Sequence, residues 1–418
     1  VRQVWEAPPS KSFTHRALMA AVFAHGNSRL RAPLESTDTE ATLRGLQALG
    51  VSCGTGPEGW WVQGLAGRPV PGGGTVELEE SGTSMRFLAA LAALGEKPST
   101  LQGRGRLPDR PMEELLEVLE RLGAPVRRPE DGRSLPLVLG GVGPLSAEGV
   151  VEVRSGRSSQ FASALLLIGP GLAGGISLAP VENSVSWAYV DMTAQVLKKF
   201  GAGIDRFGSD GWRVLPNPYP GTVLSVEGDW SSASYLFAAA AILGGEVDVT
   251  GLRPGTRQPD GEMLRFLRMA GCRVRQKPGG VEVSGDGRIE PFRADISGCP
   301  DLAPTLAVLG LFCDESCRLD RAGGLRYKES DRFRLLVENL RRLGREVVTE
   351  GDSLVLPAGK IERKGGTIET GADHRIVMAF ALAGLKIPGV RIQEPECVRK
   401  SFPGYWAWLE ETRSRTGR

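Results

Sequence analysis

An apolar helix with a polar or capped start returns about every 70 residues along this chain. The starts are Ser10, Gly82, Ser158, Ser231, Asp301 and Asp373, spaced 72, 76, 73, 70 and 72 residues apart. After each helix come Gly-rich turns and a second, amphipathic helix. Five of these second helices end in an apolar residue and Gly, at Gly50, Gly123, Gly201, Gly271 and Gly344, and Gly is the usual stop after a helix. Short alternating strands follow, as at Val126–Arg128, Val274–Gln276 and 346–348. Each unit therefore reads strand, buried helix, strand, amphipathic helix, strand pair. The period exceeds that of common solenoid coils, so each unit is expected to be a small α/β module.

At 418 residues the chain is too long for one ordinary core,. Six modules in two groups of three give an α/β (α+β) architecture of two domains, each made of three βαβαββ units. The helices lie parallel inside and the sheets outside, as an inside-out α/β barrel. Expected crossings near Pro8-Pro9 and Glu227-Gly228-Asp229 divide the chain into 10–226 and 1–9 plus 227–418.

The first start, Pro8-Pro9-Ser10-Lys11-Ser12-Phe13-Thr14-His15-Arg16, shows what such a helix can do. Pro suits the turn and Ser the N-cap. The run Ala17–Ala24 has no polar face, so the helix is expected to be buried,. Its N–H groups and dipole would then offer a fixed anion site, reinforced by Lys11 and Arg16. Only ten of the 51 basic residues are Lys, yet Lys11, Lys328 and Lys400 all fall within motifs. Pooled over the helix starts, Lys11, Arg16, Arg110, Lys328, Arg332, Arg375 and Lys400 accompany Ser12, Ser158, Ser159 and Gln160. Arg grips phosphate or carboxylate as a fork and Lys as a point charge, so this set calls for a multiply anionic ligand. Asp301 and Glu329 are expected to start helices in adjacent repeats. Beside Lys328 and Arg332, Glu329 is expected to be ionised and able to accept a proton.

A net charge of +2 leaves no footprint for nucleic acid or membrane,. No 18-residue apolar run exists,. The six cysteines form no CxxC, and with three His no metal site is expected,. They read as reduced thiols of a cytoplasmic protein, and no signal or transit peptide is visible.

Seven motifs in order then carry a resemblance over almost the whole chain. They are Ser10-Lys11-Ser12-x-Thr14-x-Arg16, Ser81-Gly82-Thr83-x-Met85-Arg86, Asp109-Arg110-Pro111-Met112, Ser158-Ser159-Gln160-Phe161, Tyr327-Lys328-Glu329-Ser330-Asp331-Arg332, Asp373-His374-Arg375 and Lys400-Ser401-Phe402-Pro403. Together they resemble the 5-enolpyruvylshikimate-3-phosphate synthase family of enolpyruvyl transferases. The resemblance implies two domains that close on small-molecule substrates, without metal or cofactor, in a monomer. It implies transfer of the enolpyruvyl group of phosphoenolpyruvate to the 5-hydroxyl of shikimate 3-phosphate, with release of phosphate. By the same resemblance, Lys11, Ser12, Arg16, Ser158, Ser159, Gln160, Ser186, Tyr189, Asp301 and Lys328 hold shikimate 3-phosphate. Lys11, Gly82, Arg110, Gln160, Arg332, Arg375 and Lys400 hold phosphoenolpyruvate, with the first domain serving mainly the former substrate and the second contributing much of the latter's site. Asp301, Glu329 and Lys11 are the implied catalytic groups. Two positions depart from the family, Glu80 and Gly324, each standing where Asn is usual. The alternative is the sister transferase acting on UDP-N-acetylglucosamine. Its reactive Cys has no counterpart in the loop Gly103–Arg110.

Overall fold

The computed structural model describes residues 2–142, 144–154, 158–181, 187–253, 255–359 and 361–415. The chain splits into two compact units, Ser10–Val226 and Val1–Pro9 with Glu227–Arg418. Each holds three buried helices. In the first unit these are α1 (Lys11–Val22), α2 (Gly82–Ala93) and α3 (Gln160–Ile168). In the second they are α4 (Trp230–Leu243), α5 (Ala303–Gly310) and α6 (His374–Ala383). Within each unit the three pack against one another. Runs such as Ala89-Ala90 and Ala238–Ala241 keep their surfaces low enough for this. Side-chain caps fix four starts. Ser10, Ser81, Asp229 and Asp373 accept from the backbone N–H of Phe13, Ser84, Ser232 and Arg375 respectively. Each such cap contributes roughly 1 kcal/mol.

Among the described residues, five four-stranded sheets share one layout. A lead strand runs parallel to the strand that follows the buried helix, and a hairpin then adds two antiparallel strands. In Val150–Val153 and Gly59–Gln63, burial alternates along the strand, so one face meets the helices and the other faces water,. The five Gly stops all adopt positive φ, between 83° and 98°. A side chain there would be strained.

The sixth module departs from the expected pattern. Among the described residues it has a two-stranded parallel sheet alone, Thr367–Ile368 with Arg391–Ile392. A 3-10 turn, Pro395–Lys400, and a helix, Tyr405–Arg415, stand where the amphipathic helix and hairpin would be.

The lead strands explain why one unit is discontinuous. Arg2–Glu6 runs parallel to Gly245–Thr250 in the second unit, while Val223–Ser225 runs parallel to Asn27–Arg31 in the first. Beside the crossings, Pro9 bridges Gly228, and the Asp229 N–H donates to the Pro8 carbonyl at 2.7 Å.

Candidate active site

In the Ser10–Val226 unit, the starts of the buried helices carry the expected residues. Lys11 is buried and ion-paired to Asp38 at 2.9 Å. Arg16 lies one turn further on. Its Nε donates to Thr193 Oγ1 (2.7 Å), Nη1 to the Ser12 carbonyl (2.9 Å), and Nη2 to Ser163 Oγ (3.3 Å) and the Tyr189 carbonyl (3.4 Å). These acceptors are all neutral, and burial lowers the guanidinium to about 10. The Phe87 and Tyr189 rings flank it at 5.4 and 6.0 Å. Next to it, His15 is pushed well below its ordinary value by burial, then by Lys11 and Arg16. The start of α1 is thus strongly electropositive.

At the start of α2, Gly82 is covered by arginine. A Cβ there would lie 2.0 Å from Arg110 Nη1 and 2.5 Å from Arg86 Nη1. Only hydrogen leaves space for both forks. Arg86 in turn donates to Gln160 Oε1 at 3.2 Å and to the carbonyls of Gly82 and Pro111, and Gln160 Nε2 donates to Thr83 Oγ1 at 2.9 Å. At the start of α3, Ser158 Oγ accepts from the Gln160 N–H at 3.2 Å, and Ser159 is buried beside it. Ser186 lies outside the described residues.

In the second unit the organiser is Arg332, whose guanidinium is fully buried. It donates to Asp373 Oδ2 at 2.7 Å, to Asp301 Oδ1 at 3.0 Å and, through Nη2, to Glu329. Arg375 Nη2 holds the other Asp301 oxygen at 2.8 Å. Burial alone would raise Asp301, but Arg375, Lys328 and Arg332 together outweigh it and hold the carboxyl well below the usual carboxylate range. The three carboxylates raise Arg332 further above its ordinary value despite burial. Lys400 Nζ donates to the Ala372 carbonyl at 3.3 Å.

Several expectations change here. Arg110, Lys328 and Lys400 do not stand at helix starts. Each belongs to or follows a short 3-10 turn, Leu107–Asp109, Gly323–Tyr327 and Pro395–Lys400, the first and last with Pro in the opening turn,. Asp301 and Glu329 belong to one repeat, the fifth, and neither is a helix cap. The helix after Glu329 is capped by Asp331, which accepts from the Arg334 N–H at 3.0 Å. The second unit's cations do not face one another unopposed either, because Asp301, Glu329 and Asp373 are interleaved with them. Position 324 is open, since a Cβ there would meet no atom within 4 Å, and Glu80 lies against Gly105.

Asp38, Arg86, Thr193, Ser163 and Asp373 take part in these networks, although the sequence assigns none of them a ligand-binding or catalytic role and marks Asp373 only as a helix start. Arg86 and Asp373 lie inside the motifs, so their motif position is the available signal. Asp38, Ser163 and Thr193 have none, since only folding brings them to α1. Among the described residues, no group of His, Cys, Asp and Glu is placed to hold a metal, and no helix is long and apolar enough to cross a membrane.

Paired three-repeat units with these cation and carboxylate clusters define an enolpyruvyl transferase architecture. The solved enolpyruvyl transferase NikO from Streptomyces tendae shares the fold, with a TM-score of 0.74 at 18% identity over 99% of this chain and 94% of its own. More particularly, the chain belongs to the EPSP synthase (3-phosphoshikimate 1-carboxyvinyltransferase) family, whose model matches residues 2–409. The 3-phosphoshikimate 1-carboxyvinyltransferases of Methanosphaerula palustris and Aeropyrum pernix are 40% and 41% identical to it. The alignments span 96% of this chain and 94% and 91% of theirs. A solved EPSP synthase from Acinetobacter baumannii matches with a TM-score of 0.76 at 25% identity, over 99% of this chain and 95% of its own. The family's reaction moves the enolpyruvyl group of phosphoenolpyruvate to the 5-hydroxyl of shikimate 3-phosphate, a step of aromatic amino acid biosynthesis.

Proposed function

We propose that this chain performs the family's reaction with a division of labour between its units. Shikimate 3-phosphate is held by Ser12, Arg16, Ser158, Ser159, Gln160 and Tyr189 of the first unit, with Ser186, Asp301 and Lys328 completing its set. Phosphoenolpyruvate is held by Lys11, Gly82, Arg110 and Gln160 of the first unit, and by Arg332, Arg375 and Lys400 of the second. The observation that carries the reading is the Arg332 fork joined to Asp301, Glu329 and Asp373. Two carboxylates freed from capping and tied to buried guanidinium groups suit proton transfer better than helix stability.

The 5-hydroxyl oxygen attacks C2 of the enol while C3 gains a proton. The tetrahedral adduct then loses a C3 proton and expels phosphate. Asp301, held ionised by Arg375, Lys328 and Arg332, is suited to accept from the hydroxyl and poorly suited to donate. Glu329, ionised beside Arg332 but with partial access to solvent from which it can take up a proton, is the carboxyl suited to pass one to C3 and retrieve it. Lys11 is the second candidate carrier on the first unit. The chain works in this reading as a monomer in the cytoplasm, and the six buried, unpaired cysteines agree with a reducing compartment,.

Phosphate release on mixing protein with phosphoenolpyruvate tests the reading. Release should require shikimate 3-phosphate and should not occur with UDP-N-acetylglucosamine. The opposite dependence would assign the chain to the sister activity.

A further inference from the structure

Arg16 is a buried cation held by hydroxyls and carbonyls. Its acceptors come from three elements: the Ser12 carbonyl of its own helix α1, Ser163 Oγ of α3, and Thr193 Oγ1 with the Tyr189 carbonyl from the helix Ala188–Phe200. Thr193 and Ser163 are fully buried. The shortest of the bonds, at 2.7 Å, runs from Arg16 Nε to Thr193 Oγ1. Arginine can only donate, so the Thr193 oxygen must accept there. The single Thr193 proton then goes to the Tyr189 carbonyl at 2.9 Å or to Ser163 Oγ at 3.0 Å. One hydroxyl thereby joins α1, α3 and the Ala188–Phe200 helix, and each of these carries residues assigned above to shikimate 3-phosphate.

A hydroxyl in this place has a consequence for charge. Arg332 is bonded to three carboxylates, so its charge is already opposed. The oxygens bonded to Arg16 are neutral. They fix the plane of the guanidinium and leave its full charge to an incoming anion. Nη1 carries two N–H groups, and among the described residues one of them donates to the Ser12 carbonyl, which leaves the second for a ligand. Without the bond at Nε, the guanidinium would have to be ordered when the substrate arrives, and that cost falls on affinity.

We propose that Thr193, supported by Ser163, is a positioning residue for shikimate 3-phosphate: its hydroxyl orients the Arg16 guanidinium without neutralising it. This rests on the assignment of Arg16 to that substrate.

The test measures Kd for shikimate 3-phosphate by titration calorimetry, and KM for phosphoenolpyruvate, in the wild type, Thr193→Val and Thr193→Ser. Val keeps the branched shape and loses the acceptor, whereas Ser keeps the hydroxyl and loses the methyl. In Thr193→Val, Kd should rise about ten- to hundredfold, the span for a hydrogen bond to a charged group, while KM for phosphoenolpyruvate stays within a few-fold. Thr193→Ser should stay near wild type in both. An unchanged Kd in Thr193→Val overturns the proposal. So does an equal rise for both substrates, or a Thr193→Ser as weak as Thr193→Val, either of which would mark a packing role. Arg16→Gln supplies a background in which Thr193 has no guanidinium to orient. There Thr193→Val should change Kd by no more than about twofold, and the same loss in both backgrounds overturns the proposal. If Thr193→Val does not fold, Ser163→Ala reads the same junction. It should raise Kd with Arg16 present and not in Arg16→Gln, and an equal effect, or none, overturns the proposal. If Arg16→Gln alone leaves Kd unchanged, the role of Arg16 fails and the proposal with it. If Kd rises in Arg16→Gln but not in Thr193→Val, only the proposal fails.

Discussion

Arg332 reconciles burial with charge at the scale of single residues. A guanidinium taken out of water needs its donors satisfied, and here three carboxylates and a planar fork supply the match. Lys could not replace it, since a point charge cannot hold three acceptors in fixed directions. Glu329→Gln tests the chemistry without dismantling this network. Gln keeps one acceptor for Arg332, the bonds to Asp301 and Asp373 remain, and Asp331 still caps the following helix. A positioned acid–base group contributes about 10²–10⁴ in rate, so kcat should fall by a factor in that range with KM for both substrates near wild type. Steady-state kinetics showing turnover within a few-fold of wild type would remove Glu329 from the proton path and favour Lys11.

Among the elements, the sheets use charge differently from the site. Asp320 ends the strand Cys317–Asp320. It accepts from Arg318 Nε at 2.6 Å, from Ser353 Oγ at 2.9 Å and from Arg293. Burial alone would raise its carboxyl, but the bonds from Arg293, Arg318 and Ser353 bring it down to about 2. A depressed carboxylate stabilises the fold above its unfolded value near 4, and that contribution is lost as pH falls through the folded value. Asp320→Asn should therefore be less stable than wild type at pH 7, and the gap should close between about pH 4 and pH 2. Denaturant midpoints of both proteins at several pH values measure this. A gap independent of pH would assign the loss to packing.

For the molecule as a whole, the exchange of lead strands predicts an asymmetry. The first unit contains all of its own strands once Val223–Ser225 is included, whereas the second depends on Arg2–Glu6 from the far end of the chain. Removing residues 1–6 deletes five paired positions beside Gly245–Thr250. Several backbone hydrogen bonds at roughly 0.5–1.5 kcal/mol each place the loss on the order of 2–4 kcal/mol, confined to the second unit. Hydrogen exchange should quicken across Gly245–Thr250 and stay unchanged across Asn27–Arg31. Equal quickening in both strands would mean that the units do not unfold separately.

The period, the buried helices and the stops of the amphipathic helices follow from local sequence. Continuous apolar runs after Ser10, Gly82 and Asp229 can only be interior, and Gly after an apolar residue ends a helix for local reasons. The family was legible too, because seven motifs in order are local strings. How the charges pair was settled only on folding. Asp38 meets Lys11 and Thr193 meets Arg16 across 27 and 177 residues, and no local spacing encodes such contacts. For the same reason Asp301 and Glu329 read as caps on paper. Only in the folded unit does Arg332 pair with both carboxylates, while Asp331 caps the helix that follows Glu329. The loss of the hairpin in the sixth module, and the hydrogen bond of Ser231 to Asp260 across 29 residues, likewise depend on tertiary packing.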